Sequence, residues 1–501
     1  MTEVSIILMV GFGLLLFYAF ASAPRVGPTG VRPAVTAYSL VLILFFLYFF
    51  FPGFTHVVFD DSQFYWASSS GGAESTALTT AVVIGALLVF LTSYRVAWRF
   101  KRSAPVMQEP PPSGGEYLVC YGLIGVGVLM KLVFISQGGG LDTTIMRSSG
   151  GVSEALNLDP ISSSMNSVRT LSGIADAAAS WLVATSLARN RSRTRAFLIF
   201  MVVITITYST AGKRLFLIWP LLVLLLSVHF YLWPLRMRMM PVVLLLTFGF
   251  GFVSLMARVY LPSSFSGSSI NLDAVGWSQG SLFRFYSNSL EFASYELTAH
   301  IIQHSDRILS YFGDWVTAVY RTNFEPLLFA VPRAIWPGKP EIFVDYGHAV
   351  TASVFGMTLE YSRFGINATI VGVSWGVGGL AGLVISMALL GWVCGACDSK
   401  YLSLARPSVN QLIIYAYLIM IMFHFFRQAT IGWLFMIVII QQYGLIIGLV
   451  LIRLARPRPS TTGADLLFTR GNTGSRRRLL PIDVESDQNL SRKGHRTRSN
   501  W

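Results

Sequence analysis

Apolar runs, each about long enough to cross a bilayer, alternate with short polar or basic stretches along nearly the whole chain. A helical crossing takes roughly 20 mostly apolar residues to span ~30 Å of hydrocarbon. On that measure about eleven segments qualify. They are 4–21, 34–51, 77–93, 117–136, 171–188, 196–211, 215–232, 241–259, 368–396, 409–426 and 431–451. These runs are too long and too evenly apolar for barrel strands, which alternate polar and apolar residues. The pattern predicts an all-α fold, a polytopic helical membrane bundle.

One connection breaks the rhythm. Residues 260–365 form a stretch of about 106 residues between the eighth and ninth segments, far beyond the few residues that usually join packed helices. Within it, 281–304 places Leu282, Phe285, Leu290, Ala293, Leu297 and Ile301 at helical spacing, and 306–321 reads as a second, aromatic-rich amphipathic helix. The expected organisation is therefore a bundle over 1–259, a large helical extracytoplasmic loop over 260–365, three further spans over 366–453 and a tail over 454–501. Two smaller outer loops, 54–76 and 137–168, carry Asp60 and Asp61 with the aromatic run Phe64, Tyr65, Trp66, and Arg147 in a Gly- and Ser-rich setting.

Composition agrees with the pattern: 53% hydrophobic and 12% charged residues, with a mean hydropathy of +0.58, exclude an ordinary water-soluble domain, where roughly 25% of residues are charged. Positive residues fix the orientation, because short cytoplasmic loops collect Lys and Arg. Arg25 and Arg32, Arg95 to Arg102, Arg189 to Arg195, Arg236 and Arg238, and Lys400 and Arg406 follow alternate segments. That puts the N-terminus outside and the C-terminus in the cytoplasm. The net charge of +14 does not imply nucleic acid, since 453–501 alone holds eleven Lys and Arg against four acids in a Ser-, Gly- and Pro-rich, aperiodic tail. Attraction to anionic lipid accounts for it.

The cysteines are Cys120, Cys394 and Cys397; without a second Cys pair or a His cluster they define neither a zinc site nor a disulfide framework, and no cofactor is expected. The first segment lacks a basic lead and a small-residue cleavage site and reads as a retained span.

Candidate chemistry lies where charge departs from the orientation rule. Lys213 and Arg214 occupy a tight outer turn, Arg427 another, Arg258 ends the eighth segment, and Arg284, Arg333, Lys339 and Arg147 lie in outer loops. Arginine presents a planar fork of donors matched to phosphate oxygens, so together these residues suit a lipid diphosphate held at the interface. Each also suits an ordinary interfacial anchor. Lys131 and Asp176 fall at one depth when the fourth and fifth segments are drawn as a hairpin, which predicts a buried ion pair. Glu296, His300 and His304 share a helix face at i, i+4 and i+8, as a solvated face, a weak metal-ligand set or a general base.

The stretch AVPRAIWPGKPE, 330–341, resembles the Pro-Arg-x-x-Trp-Pro-x-Lys-Pro phrase of the O-antigen polymerase family, the oligosaccharide repeat unit polymerases. The turn Gly212, Lys213, Arg214 resembles that family's Gly-x-Arg element, and GMTLEYSRFG, 356–365, its Gly-x-x-x-Glu-x-x-x-x-Gly lead into the next span. The resemblance implies transfer of a growing glycan from an undecaprenyl-pyrophosphate carrier to a hydroxyl of another lipid-linked repeat unit, for O-antigen, capsular or exopolysaccharide. Donor and acceptor are both lipid-linked, and a chain-length regulator and a flippase are further expected partners. For the acceptor's proton the candidates are His348 and Glu360, then His300 and Asp306. A glycan ligase and a polysaccharide transporter or flippase stand as alternatives.

Overall fold

The computed structural model describes residues 3–24, 32–59, 73–100, 114–137, 163–190, 192–211, 215–242, 245, 249, 294–331, 335–338, 345–359, 368–402, 404, 407–428, 430–440 and 442–456. All described elements are helical, apart from one isolated bridge between Pro33 and Arg236. Met1–Arg456 clusters as one unit.

The helices are α1 (Glu3–Ala21), α2 (Ala37–Phe45), α3 (Phe51–Phe59), α4 (Ala73–Arg99), α5 (Gly114–Gln137), α6 (Ser163–Leu171), α7 (Ile174–Arg189), α8 (Arg193–Ala211) and α9 (Leu215–Ser227). After them come α10 (Ser294–Ser310), α11 (Trp315–Asn323), α12 (Tyr346–Phe355), α13 (Ile370–Tyr401), α14 (Val409–Gln428), α15 (Ile431–Phe435) and α16 (Tyr443–Leu454). Seven helical stretches are long and apolar enough to cross a membrane: Glu3–Ala21, Ala37–Val57, Ser75–Arg99, Gly114–Gln137, Met165–Arg189, Ile370–Tyr401 and Val409–Gln428. Leu217–Leu232 and Tyr443–Leu454 are shorter apolar helices.

Two differences from the pattern have physical causes. The second segment does not end at residue 51 but runs on to Phe59 through a wide turn, Phe46–Phe50, placed immediately ahead of Pro52. Proline has no N–H to give and crowds the preceding turn, and a π-type turn accommodates both. The eleventh segment is broken: α15 and a wide turn, Met436–Ile440, stop short of Gln442, whose φ of −125° and ψ of 20° are not helical, and α16 starts afresh at Tyr443. Apolar periodicity is blind to that break, because QQ interrupts the run by only two residues. The eighth segment falls mostly outside the described residues.

Close contact between α4 and α13 depends on Gly391 and Gly395, four apart on one face. A Cβ on Gly391 would stand 2.5 Å from the Phe90 carbonyl oxygen, and one on Gly395 2.6 Å from that of Tyr94. Small residues at this spacing let membrane helices approach backbone to backbone. Large apolar side chains such as Ile7, Leu14, Phe17 and Leu118 point outward and remain exposed, as a lipid-facing rim requires.

Contacts among helix ends define two faces. On the first, the Asp398 carboxylate near the end of α13 accepts from the backbone N–H groups of Ala37 (3.1 Å) and Tyr38 (3.0 Å) and from the hydroxyls of Tyr94 (2.9 Å) and Tyr415 (2.6 Å). Glu116 at the start of α5 accepts from Trp181 Nε1 (2.6 Å) and from Arg456 (3.2 Å), and the Arg456 guanidinium lies 4.6 Å from the centre of the Trp181 ring. Arg95, Arg195, Arg236 and Lys400 gather at this same end of the bundle.

The second face is covered by α10, α11 and α12. At 17, 9 and 10 residues these helices are shorter than a full crossing, and they pack on the ends of α3, α4, α13 and α15. The long helix expected over 281–304 is described from Ser294 and continues to Ser310, bending at His304 (φ −117°, ψ 22°) instead of ending there. The second helix starts only at Trp315, because the Asp314 side chain accepts from Thr317 N and caps it.

Candidate functional site

Polar side chains concentrate where the cap meets the bundle. The first two turns of α10 are buried from Ser294 through Ile301, so this amphipathic helix is set into the bundle and not laid flat on it. Tyr295 anchors it, its hydroxyl 2.8 Å from Thr80 Oγ1 and 3.0 Å from the Thr76 carbonyl oxygen. One residue on, Glu296 is buried with Oε2 unpartnered. Burial of this lone carboxyl pushes its pKa from 4.5 up to about 7.

One turn later His300 lies 3.0 Å, through Nε2, from Ser353 Oγ of α12, while its Nδ1 has no partner. Burial, reinforced by the neighbouring His304 and Arg307, lowers its pKa from 6.5 to about 4, so the ring is neutral at physiological pH. The His300 and His304 rings are 4.5 Å apart. Their expected face with Glu296 is therefore buried at Glu296 and His300, not solvated. Among the described residues no group of three or more His, Cys, Asp or Glu is arranged to hold a metal ion.

The most organised pair begins α12. Asp345 is its N-cap: Oδ1 accepts the backbone N–H of His348 at 3.0 Å and lies 2.6 Å from His348 Nδ1. The Asp345 backbone N–H is 3.4 Å from the same nitrogen, too long to compete with the carboxylate contact. A proton on Nδ1, donated to Asp345, leaves Nε2 as the ring's acceptor, the tautomer a general base requires. Both residues are buried. Between them in sequence, Tyr346 is sealed in, with an unpartnered hydroxyl that occupies the space a side chain at Gly376 would need.

Of the sequence candidates, His300 and His348 lie on the packed helices α10 and α12. Asp306 is exposed on the outer side of α10, beyond the bend, and is not part of this cluster. Arg427, at the last turn of α14, is half-buried with Nε unpartnered. The turn after it lies under α11 and the segment Glu325–Ala330: Asn323 Oδ1 accepts from Ile431 N at 3.1 Å, and Pro326 packs where a Gly432 side chain would stand. Glu360, Lys213, Arg214, Arg258, Arg284, Arg333, Lys339 and Arg147 lie outside the described residues.

The Lys131 and Asp176 pair forms as expected, Nζ to Oδ1 at 2.8 Å, with Thr207 Oγ1 hydrogen-bonded to both. Sequence reasoning missed Asp345, although Asp is a favoured residue at a helix start. It also passed over His424, an ionisable residue within an apolar span and thus a functional candidate by default. No family model, no curated protein and no solved structure matches the chain.

Proposed function

We infer that this is a membrane-embedded glycosyltransferase that joins lipid-linked oligosaccharide repeat units at the cap-covered face, the outer face of a bacterial inner membrane, within a bundle of about eleven spans. The observation that carries the reading is the buried His348–Asp345 pair at 2.6 Å, presented by a cap helix beside a bundle end that bears Arg427. The resemblance of 330–341 and 356–365 to the O-antigen polymerases supplies the substrate class: undecaprenyl-pyrophosphate carriers as donor and acceptor.

In this mechanism His348 Nε2 takes the proton of the acceptor hydroxyl as its oxygen attacks the anomeric carbon of the donor. The bond from that carbon to the diphosphate breaks, and the lipid diphosphate leaves with the bonding pair. Asp345 stabilises the imidazolium that forms, and arginine donors, Arg427 among them, balance the charge developing on the leaving group. Glu360 is the other candidate base, and Arg214, Arg258, Arg284, Arg333, Lys213, Lys339 and Arg147 are the further candidates for the diphosphate.

A second reading, transport or flipping of a polysaccharide, draws on the break at Gln442 and on the bend of α13 at Gly379 (φ 56°, ψ −145°), since discontinuous helices line the sites of many transporters. Deletion in the producing organism, followed by glycan gels, separates the readings. A polymerase leaves single-repeat glycans on loss of the chain, restored to a ladder by the wild type but not by His348→Ala, Arg214→Ala or Arg333→Ala. Unchanged ladders overturn polymerisation; loss of all mature glycan points to a ligase or a flippase.

A further inference from the structure

Buried polar atoms normally have partners, so a group of donors without acceptors calls for explanation. On α14, His424 is fully buried and neither ring nitrogen has a partner. On α9, Trp219 is likewise fully buried with Nε1 unpartnered. The two helices pack together. Trp219 is the fifth residue of α9 and His424 the fifth from the end of α14, so each lies about 6 Å in from its helix end at 1.5 Å per residue. In antiparallel neighbours that is a common depth.

One turn nearer the surface is Arg427, with Nε unpartnered, and α9 itself follows directly on Lys213 and Arg214 in the sequence. Trp and Arg nitrogens can only donate, and a neutral His supplies one donor more. Two donors at one depth with a third, charged one a turn nearer the surface suit an oxygen-rich anion, not a cation.

We propose that Trp219, His424 and Arg427 form a donor ladder that receives the diphosphate of a polyprenyl diphosphate at the α9–α14 junction. The assignment rests on the lipid-diphosphate reading above and adds to it two residues from inside the bundle. Arg427 meets the anion first, and His424 and Trp219 complete the set as the outer ends of α9 and α14 part to admit it. The diphosphate keeps all its bonds; the site binds it and does not cleave it.

The test is calorimetric titration of the full chain in detergent with farnesyl diphosphate, inorganic pyrophosphate and farnesol. The variants are Trp219→Phe, His424→Phe and His424→Asn, with the exposed Trp392→Phe as a control. Removal of one donor to a charged oxygen is expected to weaken farnesyl diphosphate about tenfold. His424→Asn, which keeps an N–H, should retain part of the affinity, and the control should bind as wild type. Both Phe variants replace an unpartnered polar group by an apolar ring, so their thermal midpoints should equal or exceed the wild-type value.

Wild-type binding with unchanged affinity in Trp219→Phe and His424→Phe overturns the ladder and leaves the polymerase reading standing. Absence of farnesyl diphosphate binding by the wild type overturns both. Equal affinity for inorganic pyrophosphate supports the anion site but overturns its lipid assignment, and equal affinity for farnesol overturns recognition of the diphosphate.

Discussion

Lys131 and Asp176 meet at 2.8 Å inside the helical bundle, with Thr207 bonded to both. A charge removed from water is tolerated only when its partner and remaining hydrogen bonds are in place. Lys131→Met and Asp176→Leu, made singly, each strand the other charge and should lower stability by about 3–5 kcal/mol. The double variant should recover most of the loss. Thermal unfolding in detergent measures this, and single variants as stable as wild type would remove the pair from any account of the fold.

Asp345 performs two tasks that one substitution can separate. Asp345→Ser keeps a capping oxygen for the start of α12 but takes the carboxylate from His348. It should leave stability within about 1 kcal/mol of wild type while reducing polymer formation from purified lipid-linked repeat by about 100-fold or more. His348→Ala should reduce it at least as far. A Ser variant that makes polymer at the wild-type rate would show that Asp345 is a cap alone.

Glu296 and His300 give α10 opposing responses to acid. Glu296 titrates at about 7 when folded against 4.5 for the free group, so the folded chain holds the extra proton between those values and stability falls as pH rises through the window. His300 titrates at about 4 against 6.5, so the unfolded chain holds the extra proton and stability falls as pH drops from 6.5 toward 4. From pH 4.5 to 6.5 the two trends cancel in large part, and wild-type stability should be nearly flat. Glu296→Gln should leave a decline toward acid and His300→Phe a decline toward neutral pH, each at most about 1.4 kcal/mol per pH unit. Parallel pH profiles for the two variants would contradict the assignment.

Gly395 touches the Tyr94 backbone at a distance no side chain permits. Gly395→Val should separate α13 from α4 and destabilise the chain by about 1–3 kcal/mol or more. Gly378, with nothing within 4 Å of a Cβ on the same helix, should accept Ala with little change. Paired melting curves compare the two.

Much of the bundle was legible because apolar runs of crossing length have few other uses, and the matched depth of Lys131 and Asp176 followed from drawing two spans as a hairpin. The cap was legible as helix but not as buried helix. Leu297 and Ile301 mark an apolar face, yet nothing in their spacing says that Glu296 and His300 are enclosed as well. That depends on α12 and α13, which are distant in sequence. Apolar periodicity also missed the break at Gln442, since it reports burial and not backbone angles. His348 was found through its residue type; Asp345, whose carboxylate lies 2.6 Å from that ring, was not.

The Asp398 carboxylate has a consequence for the order in which the chain is made. The N–H groups it accepts, on Ala37 and Tyr38, precede it by 361 and 360 residues. The first turn of α2 therefore enters the membrane with two donors whose final acceptor has not yet been synthesised. Until α13 arrives, those donors must rely on water or lipid head groups, and Tyr94 waits with them. The earliest part of the bundle is thus completed by one of the latest, and a chain truncated before α13 should remain open at that end and be recognised as unfinished.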